Sequence, residues 1–212
     1  MLDVVEQIGL HKLVPVIIID NKEDALPLAD ALIQGGLPVA EVTFRTQAAK
    51  ESIEKIAKQF PTMLVGAGTV LTIDQVKAAV DAGAKYIVSP GLNPKVVEYC
   101  VTNKIPITPG IATPSEIEQA LEFELDVVKF FPAETLGGIK YLKAISAPYG
   151  NLKFIPTGGI DESNLTGYLQ FPKVLACGGS WMVKKELVTS KQFDVITKLT
   201  SAALGIINMM HK

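Results

Sequence analysis

Leu13-Val14-Pro15-Val16-Ile17-Ile18-Ile19 and Val39-Ala40-Glu41-Val42-Thr43-Phe44 are two apolar, β-branched runs, and the segment between them, 23–34, repeats its apolar residues at helical spacing. A helix between two strands is a crossover connection, so the strands it joins run parallel; a tight hairpin would reverse the chain instead. The same unit recurs outward from this stretch. Further strand-like runs occupy 63–70, 86–90, 106–109, 127–131, 153–156 and 173–177, with helical patterns at 48–59, 73–81 and 115–122 among them. Eight β-then-α units follow a short amphipathic lead segment around residues 2–10. The alternation predicts an α/β chain, a closed (β/α)8 TIM barrel with a short N-terminal helix, and a single domain over 1–212. Its rival is a doubly wound open sheet, but no Gly-x-Gly-x-x-Gly turn follows the first strand, where a dinucleotide fold places it.

Punctuation between the units agrees with this register. Thr113-Pro114-Ser115-Glu116 offers a cap and then a first-turn proline, and Asp161-Glu162-Ser163 puts acidic residues where a helix start would favour them. Gly35-Gly36 and Gly83 are placed to close the helices before strands two and four. Pro15 fits least well, because it removes one ladder donor from the first strand.

Charge and composition exclude several classes of partner. The 20 Lys and Arg against 22 Asp and Glu leave a formal charge of −2, spread along the chain, with no basic footprint for nucleic acid or an anionic membrane. No apolar run approaches the ~18 residues that span a bilayer. Cys100 and Cys177 are far apart with no Cys-x-x-Cys pairing, and the N-terminal MLDVVEQIGLHKL lacks a long apolar leader, so a reducing cytoplasm is expected. The expected partner is a small soluble molecule.

Lys129 interrupts the apolar run Val127-Val128-Lys129-Phe130-Phe131-Pro132. A lysine there either snorkels to solvent or is buried as a usable amine, since a desolvated lysine can lose its proton and attack a carbonyl carbon. Strand parity puts Glu41, Thr43 and Arg45 on one face of the second strand, and Lys129 on one face with Val127 and Phe131. Glu41 and Arg45 taken alone could be a structural ion pair. Converging with Lys129 at the strand C-terminal ends, where barrel active sites lie, they suit carbon–carbon chemistry on a 2-oxo acid. Arg45 would hold the substrate carboxylate, Lys129 would condense with the carbonyl to give an electron-withdrawing iminium, and Glu41 would move protons. The quantitative demand is on the amine, which titrates near ~10.4 when free. Desolvation and the positive charge of Arg45 favour its neutral form, whereas Glu41 opposes it.

A second cluster closes strands seven and eight: Thr157-Gly158-Gly159 and Gly178-Gly179-Ser180. Glycine pairs are common tight turns, but barrel loops seven and eight often bind phosphate through exposed backbone N–H groups. Gly66-Ala67-Gly68-Thr69 and Ser89-Pro90-Gly91 are further strand ends that could line the mouth, or serve as ordinary loops. His11 and His211 lie away from every strand end and no cysteine or carboxylate cluster has ligand spacing, so no metal is expected. Trp181 reads as packing.

These residues together resemble a known family, the class I 2-keto-3-deoxy-6-phosphogluconate and 4-hydroxy-2-oxoglutarate aldolases. The motifs that carry the resemblance, in chain order, are Pro15-Val16-Ile17, Glu41-Val42-Thr43-Phe44-Arg45-Thr46, Val65-Gly66-Ala67-Gly68-Thr69-Val70, Ser89-Pro90-Gly91, Lys129-Phe130-Phe131-Pro132-Ala133-Glu134, Pro156-Thr157-Gly158-Gly159-Ile160 and Gly178-Gly179-Ser180-Trp181. The resemblance implies that Lys129 forms the Schiff base, Glu41 is the acid/base and Arg45 binds the pyruvate carboxylate. Thr69, Pro90 and Phe131 would shape the pocket. Gly158, Gly159, Gly179 and Ser180 would hold the distal phosphate, with Thr157 nearby. It also implies a cytoplasmic homotrimer that needs no metal or cofactor beyond the covalent lysine imine, and that cleaves a phosphorylated keto acid to pyruvate and glyceraldehyde 3-phosphate. One departure is Ile18, where some relatives carry arginine, which takes away one candidate anion contact. The galactonate epimer and 4-hydroxy-2-oxoglutarate stand as alternative substrates. Two competing readings are a phosphate-binding epimerase or isomerase in which Lys129 acts only by charge, and a non-catalytic barrel that binds a phosphorylated metabolite.

Overall fold

A computed structural model of the chain describes residues 3–210. The His211 reading above, and residue 2 of the expected lead segment, lie outside the described residues. Helix α1 (Val4–His11) opens the chain, with Asp3 and Glu6 forming a reciprocal capping box. There follow β1 (Leu13–Ile17), α2 (Ala25–Gln34), β2 (Val39–Thr43), α3 (Ala49–Gln59), β3 (Leu64–Gly68), α4 (Ile73–Asp81), β4 (Ile87–Val88) and α5 (Pro94–Thr102). The second half holds β5 (Ile107–Thr108), β6 (Gly110–Ile111), α6 (Pro114–Glu122), β7 (Val127–Phe130), α7 (Gly138–Ser146), β8 (Lys153–Pro156), α8 (Leu165–Leu169), β9 (Cys177–Gly179), α9 (Lys185–Thr189) and α10 (Phe193–Met209).

Every strand pair is parallel, as the crossover helices require. The sheet curls in two ladders, β5-β4-β3-β2-β1-β9 and β6-β7-β8. A parallel bridge from Thr157 to Gly178 relates the end of β8 to β9. All of β2 and β3 is buried, which is the condition of a parallel sheet covered by helices. α3 shows how that cover is made: Ala49, Ser52, Ile53 and Ile56 recur at helical spacing and are its buried face. Among helix starts, α6 has the predicted Thr113 cap and first-turn Pro114, and Glu116 completes a capping box.

Three sequence boundaries are corrected. The fifth strand, expected at 106–109, is two short pieces on either side of Pro109, which has no N–H to offer a ladder; its carbonyl instead accepts from the Lys129 N–H at 2.9 Å. The eighth, expected at 173–177, is Cys177–Gly179. Residue 174 meets the sheet only through an isolated bridge to Phe154, while the Lys173 ammonium is drawn to the Ser146 and Tyr149 carbonyls. The helix expected to start at 161–163 starts at Leu165, because Asp161 spends its carboxylate on the Ser163 N–H and hydroxyl in a turn.

Candidate active site

β2 and β7 carry the central pair. Glu41 stands in the middle of β2, in register with Val16 of β1 and Gly66 of β3, and Lys129 stands in β7 between Gly110 and Ile155. Their side chains meet across the interior: Lys129 Nζ donates to Glu41 Oε1 at 3.3 Å, and the two residues are only 6% and 4% exposed. The snorkelling alternative for Lys129 is thereby excluded. Lys129 Nζ also lies 5.3 Å from the centre of the Phe131 ring, two residues onward on the same face.

Glycines make room for this pair. A side chain at Gly68 would place its Cβ 2.2 Å from Glu41 Oε1, and one at Gly110 would place it 2.1 Å from the Pro90 carbonyl oxygen. The space left at Gly68 is taken by the Glu41 carboxylate. Below it, the Tyr86 ring occupies the volume a Gly66 side chain would need, and its hydroxyl donates to the Ala40 carbonyl at 2.9 Å. Complete burial pushes the Tyr86 phenol well above its ordinary pKa, with the Glu41 charge adding to the shift. Tyr86 therefore stays neutral beside the carboxylate. Sequence reading placed Tyr86 at a strand start and assigned it nothing.

Arg45 lies beyond the end of β2, in the turn, and is exposed. It makes no ion pair with Glu41; its Nε donates to Thr69 Oγ1 at 3.2 Å. Thr69 has φ +55°, an unusual backbone for a β-branched residue, and this turn sends its hydroxyl toward Arg45. Thr43 is buried and tied off by a 2.8 Å bond to the Ile17 carbonyl.

A cavity of about 270 Å³ is lined by Arg45 and Phe131, by Thr157, Gly158, Gly159, Ile160, Gly178, Gly179 and Ser180, and by the apolar Val16 and Ile18. Seven of the predicted site residues thus share one cavity. Lys129 and Glu41 lie outside that lining, Lys129 Nζ 5.3 Å from the Phe131 ring and Glu41 in register with Val16, while Thr69 accepts from Arg45 and Pro90 is held against Gly110. Ile18, the position where some relatives carry arginine, lines the cavity, and so do Val16 and Ile160, to which the sequence assigns no role; period-two alternation along the first strand puts Val16 on the Ile18 face.

At the glycine end, Gly158 and Gly159 have φ +99° and +79°. The Thr157 and Gly158 carbonyls accept from the Ala133 and Glu134 N–H groups at 2.8 and 3.0 Å. A planar trans peptide sets the next N–H opposite its carbonyl, so the Gly158 and Gly159 N–H groups face away from that contact. Successive backbone N–H groups in a turn of this kind can form an anion-binding concavity. Gly178 is bare because Thr157 Oγ1 fills its side-chain volume, and Gly179 because the Trp181 ring does, so Trp181 is packing. Among the described residues, no group of three or more His, Cys, Asp or Glu could hold a metal ion.

The sequence model of the family described as KDPG and KHG aldolase matches residues 4–199. The chain belongs to the KDPG and KHG aldolase family. Within the family it is 48% identical, over 99% of its own length and 100% of the other's, to the 2-dehydro-3-deoxy-phosphogluconate aldolase of Treponema pallidum (strain Nichols). It is 44% identical to the KHG/KDPG aldolase of Escherichia coli (strain K12), with 90% of each chain covered. Among solved structures it resembles the KDPG aldolase of Legionella pneumophila, with a TM-score of 0.92 and 41% identity over 95% of this chain and 98% of that one. That enzyme was captured with pyruvate as a covalent carbinolamine.

Proposed function

We propose that this KDPG and KHG aldolase family member is a lysine Schiff-base lyase that reversibly cleaves 2-keto-3-deoxy-6-phosphogluconate to pyruvate and D-glyceraldehyde 3-phosphate, and 4-hydroxy-2-oxoglutarate to pyruvate and glyoxylate. The observation that carries this reading is the buried Lys129–Glu41 contact at 3.3 Å, next to two residues of the cavity lining, Phe131 and Val16, in a cavity that also holds Arg45 and the Gly158-Gly159 turn. Lys129 Nζ adds to the C2 carbonyl, giving a carbinolamine, and loss of water leaves an iminium. Glu41, directly or through a water molecule, takes the proton of the C4 hydroxyl. The C3–C4 bond breaks, its electron pair enters the enamine, and the aldehyde leaves. Protonation at C3 and hydrolysis of the iminium release pyruvate and restore the amine. The electron sink is the iminium itself, so the scheme calls on no metal or cofactor.

Arg45 pairs with the substrate carboxylate, its Nε already steadied by Thr69. Phe131 and Pro90 bound the keto-acid end. Gly158, Gly159, Gly179 and Ser180, with Thr157 behind them, receive the phosphate. The curled sheet closes as an eight-stranded barrel forming one domain; the Thr157–Gly178 bridge and the chain continuity of β5 and β6 across Pro109 support that closure. Family resemblance supports a cytoplasmic homotrimer, and among the described residues no helix is long and apolar enough to cross a membrane. Sedimentation of the purified protein tests the trimer, and a coupled assay of pyruvate release from both acids tests the reaction. Absence of pyruvate release from either acid would overturn the reading.

A further inference from the structure

The motif ending in Glu134 leaves one residue without a role, and its position is peculiar. A carboxylate stands beside the Gly158-Gly159 turn, where an anion is to be bound and negative charge would repel it. Its own contacts explain the placement. The Glu134 backbone N–H donates to the Gly158 carbonyl at 3.0 Å, and the Glu134 Cβ and Cγ lie 2.6 and 2.7 Å from where a Gly159 Cβ would be, so the turn rests directly on this side chain. The carboxylate is drawn away from the turn: Tyr168, 1% exposed in α8, donates its hydroxyl to Glu134 Oε1. Gly138, at φ +64°, leaves space for that bond, since its Cβ would fall 2.9 Å from the same oxygen. On the far side of the turn, Asn164 Nδ2 donates to the Gly159 carbonyl at 2.9 Å, and Asn164 Oδ1 accepts from the Asp161 N–H at 2.9 Å.

We propose that Glu134 and Tyr168 are positioning residues that lock the Gly158-Gly159 turn between the end of β7 and α8, and thereby set the affinity for the phosphate of the substrate without touching the reacting carbons. With the Thr157 and Gly158 carbonyls fixed toward residues 133 and 134, the N–H groups that follow them stay turned to the cavity; releasing the Glu134 side chain frees them to rotate. The inference rests on the proposed aldolase reading and deepens its phosphate end.

The test compares the wild type with Tyr168→Phe, Glu134→Ala and Glu134→Gln in three measurements: KM and kcat for 2-keto-3-deoxy-6-phosphogluconate, inhibition by inorganic phosphate, and borohydride trapping of pyruvate on Lys129. Losing one such hydrogen bond should raise KM and the inhibition constant of phosphate about fivefold to tenfold in Tyr168→Phe and Glu134→Ala, with kcat and trapping held within about twofold. Glu134→Gln keeps an oxygen for the Tyr168 hydroxyl and should stay near wild type. Should Glu134→Ala fail to fold, the conservative Tyr168→Phe and Glu134→Gln carry the same contrast. Unchanged KM and phosphate inhibition in Tyr168→Phe, in a protein whose wild type traps pyruvate and is inhibited by phosphate, would overturn the lock alone. A wild type that neither traps pyruvate nor responds to phosphate would overturn the aldolase reading and the lock with it.

Discussion

The two parts of the candidate site are built from opposite materials. At the β2–β7 end, charged side chains are sunk in the interior, 6% and 4% exposed, with chemistry in their functional atoms. At the β8–β9 end, Gly158 and Gly159 offer backbone N–H groups from positive-φ turns, and side chains serve to hold the backbone in place. The contrast follows from the tasks. A bond-making centre needs one nucleophile in one place, whose surroundings are desolvated and whose partner is near. An anion at the end of a flexible chain needs several modest donors, and backbone amides supply them without introducing a charge of their own.

The difference predicts how substitutions divide. Lys129→Ala removes the nucleophile and should lower turnover on the order of 10⁴-fold or more, since residues that act as a unit cannot be replaced by what remains; pyruvate release in a coupled assay measures this, and normal turnover would break the centre's assignment. Glu41→Gln retains shape but loses proton transfer, with an expected kcat decrease of roughly 10²- to 10⁴-fold, while imine formation on Lys129 continues slowly. Gly68→Ala drives a methyl into the Glu41 carboxylate, whose Oε1 would be 2.2 Å away. It should lower kcat and cost about 1–3 kcal/mol of stability through overpacking, read from the urea midpoint.

The rim should behave differently. Gly158→Ala at φ +99° strains the turn by about 1–2 kcal/mol, and the expected result is a KM increase of about tenfold for the phosphorylated acid with pyruvate trapping intact. An equal loss of trapping would erase the distinction between the two ends. A control remote from both is His11, whose pKa burial lowers from 6.5. The neutral imidazole is the form the fold prefers, so its contribution is complete above 6.5 and is lost as pH falls through that value toward the lower folded one. The drop in urea midpoint between about pH 7.5 and about pH 5 should shrink slightly in His11→Gln, with no change in KM.

The periodicities that gave the fold are local, and they were legible. Alternating β and α patterns depend on neighbouring residues, as in 13–44, and strand interiors such as 153–156 were placed as found. What escaped were decisions made by distant partners. Pro109 splits a strand because of ladder geometry with β4 and β7, and Lys173 leaves the sheet for carbonyls in the segment 146–149. The same holds in the site. Lys129 was conspicuous because a charge in an apolar run is locally improbable, and Glu41 followed by parity. Arg45 was expected on the strand with Glu41 but sits past its end, bound to Thr69 of the neighbouring turn. Tyr86, Gly110 and Tyr168 carry no local signal, since each matters only through what packs against it: the Ala40 carbonyl, Pro90 and Glu134.

The central claim is that the buried amine of Lys129 forms the covalent bond to substrate. Incubating the protein with pyruvate and borohydride, digesting it and mapping the modified peptide by mass tests this directly. A single reduced pyruvate adduct located on Lys129, absent when borohydride is omitted, is the predicted result. An unmodified Lys129, or an adduct on a different lysine, would contradict it.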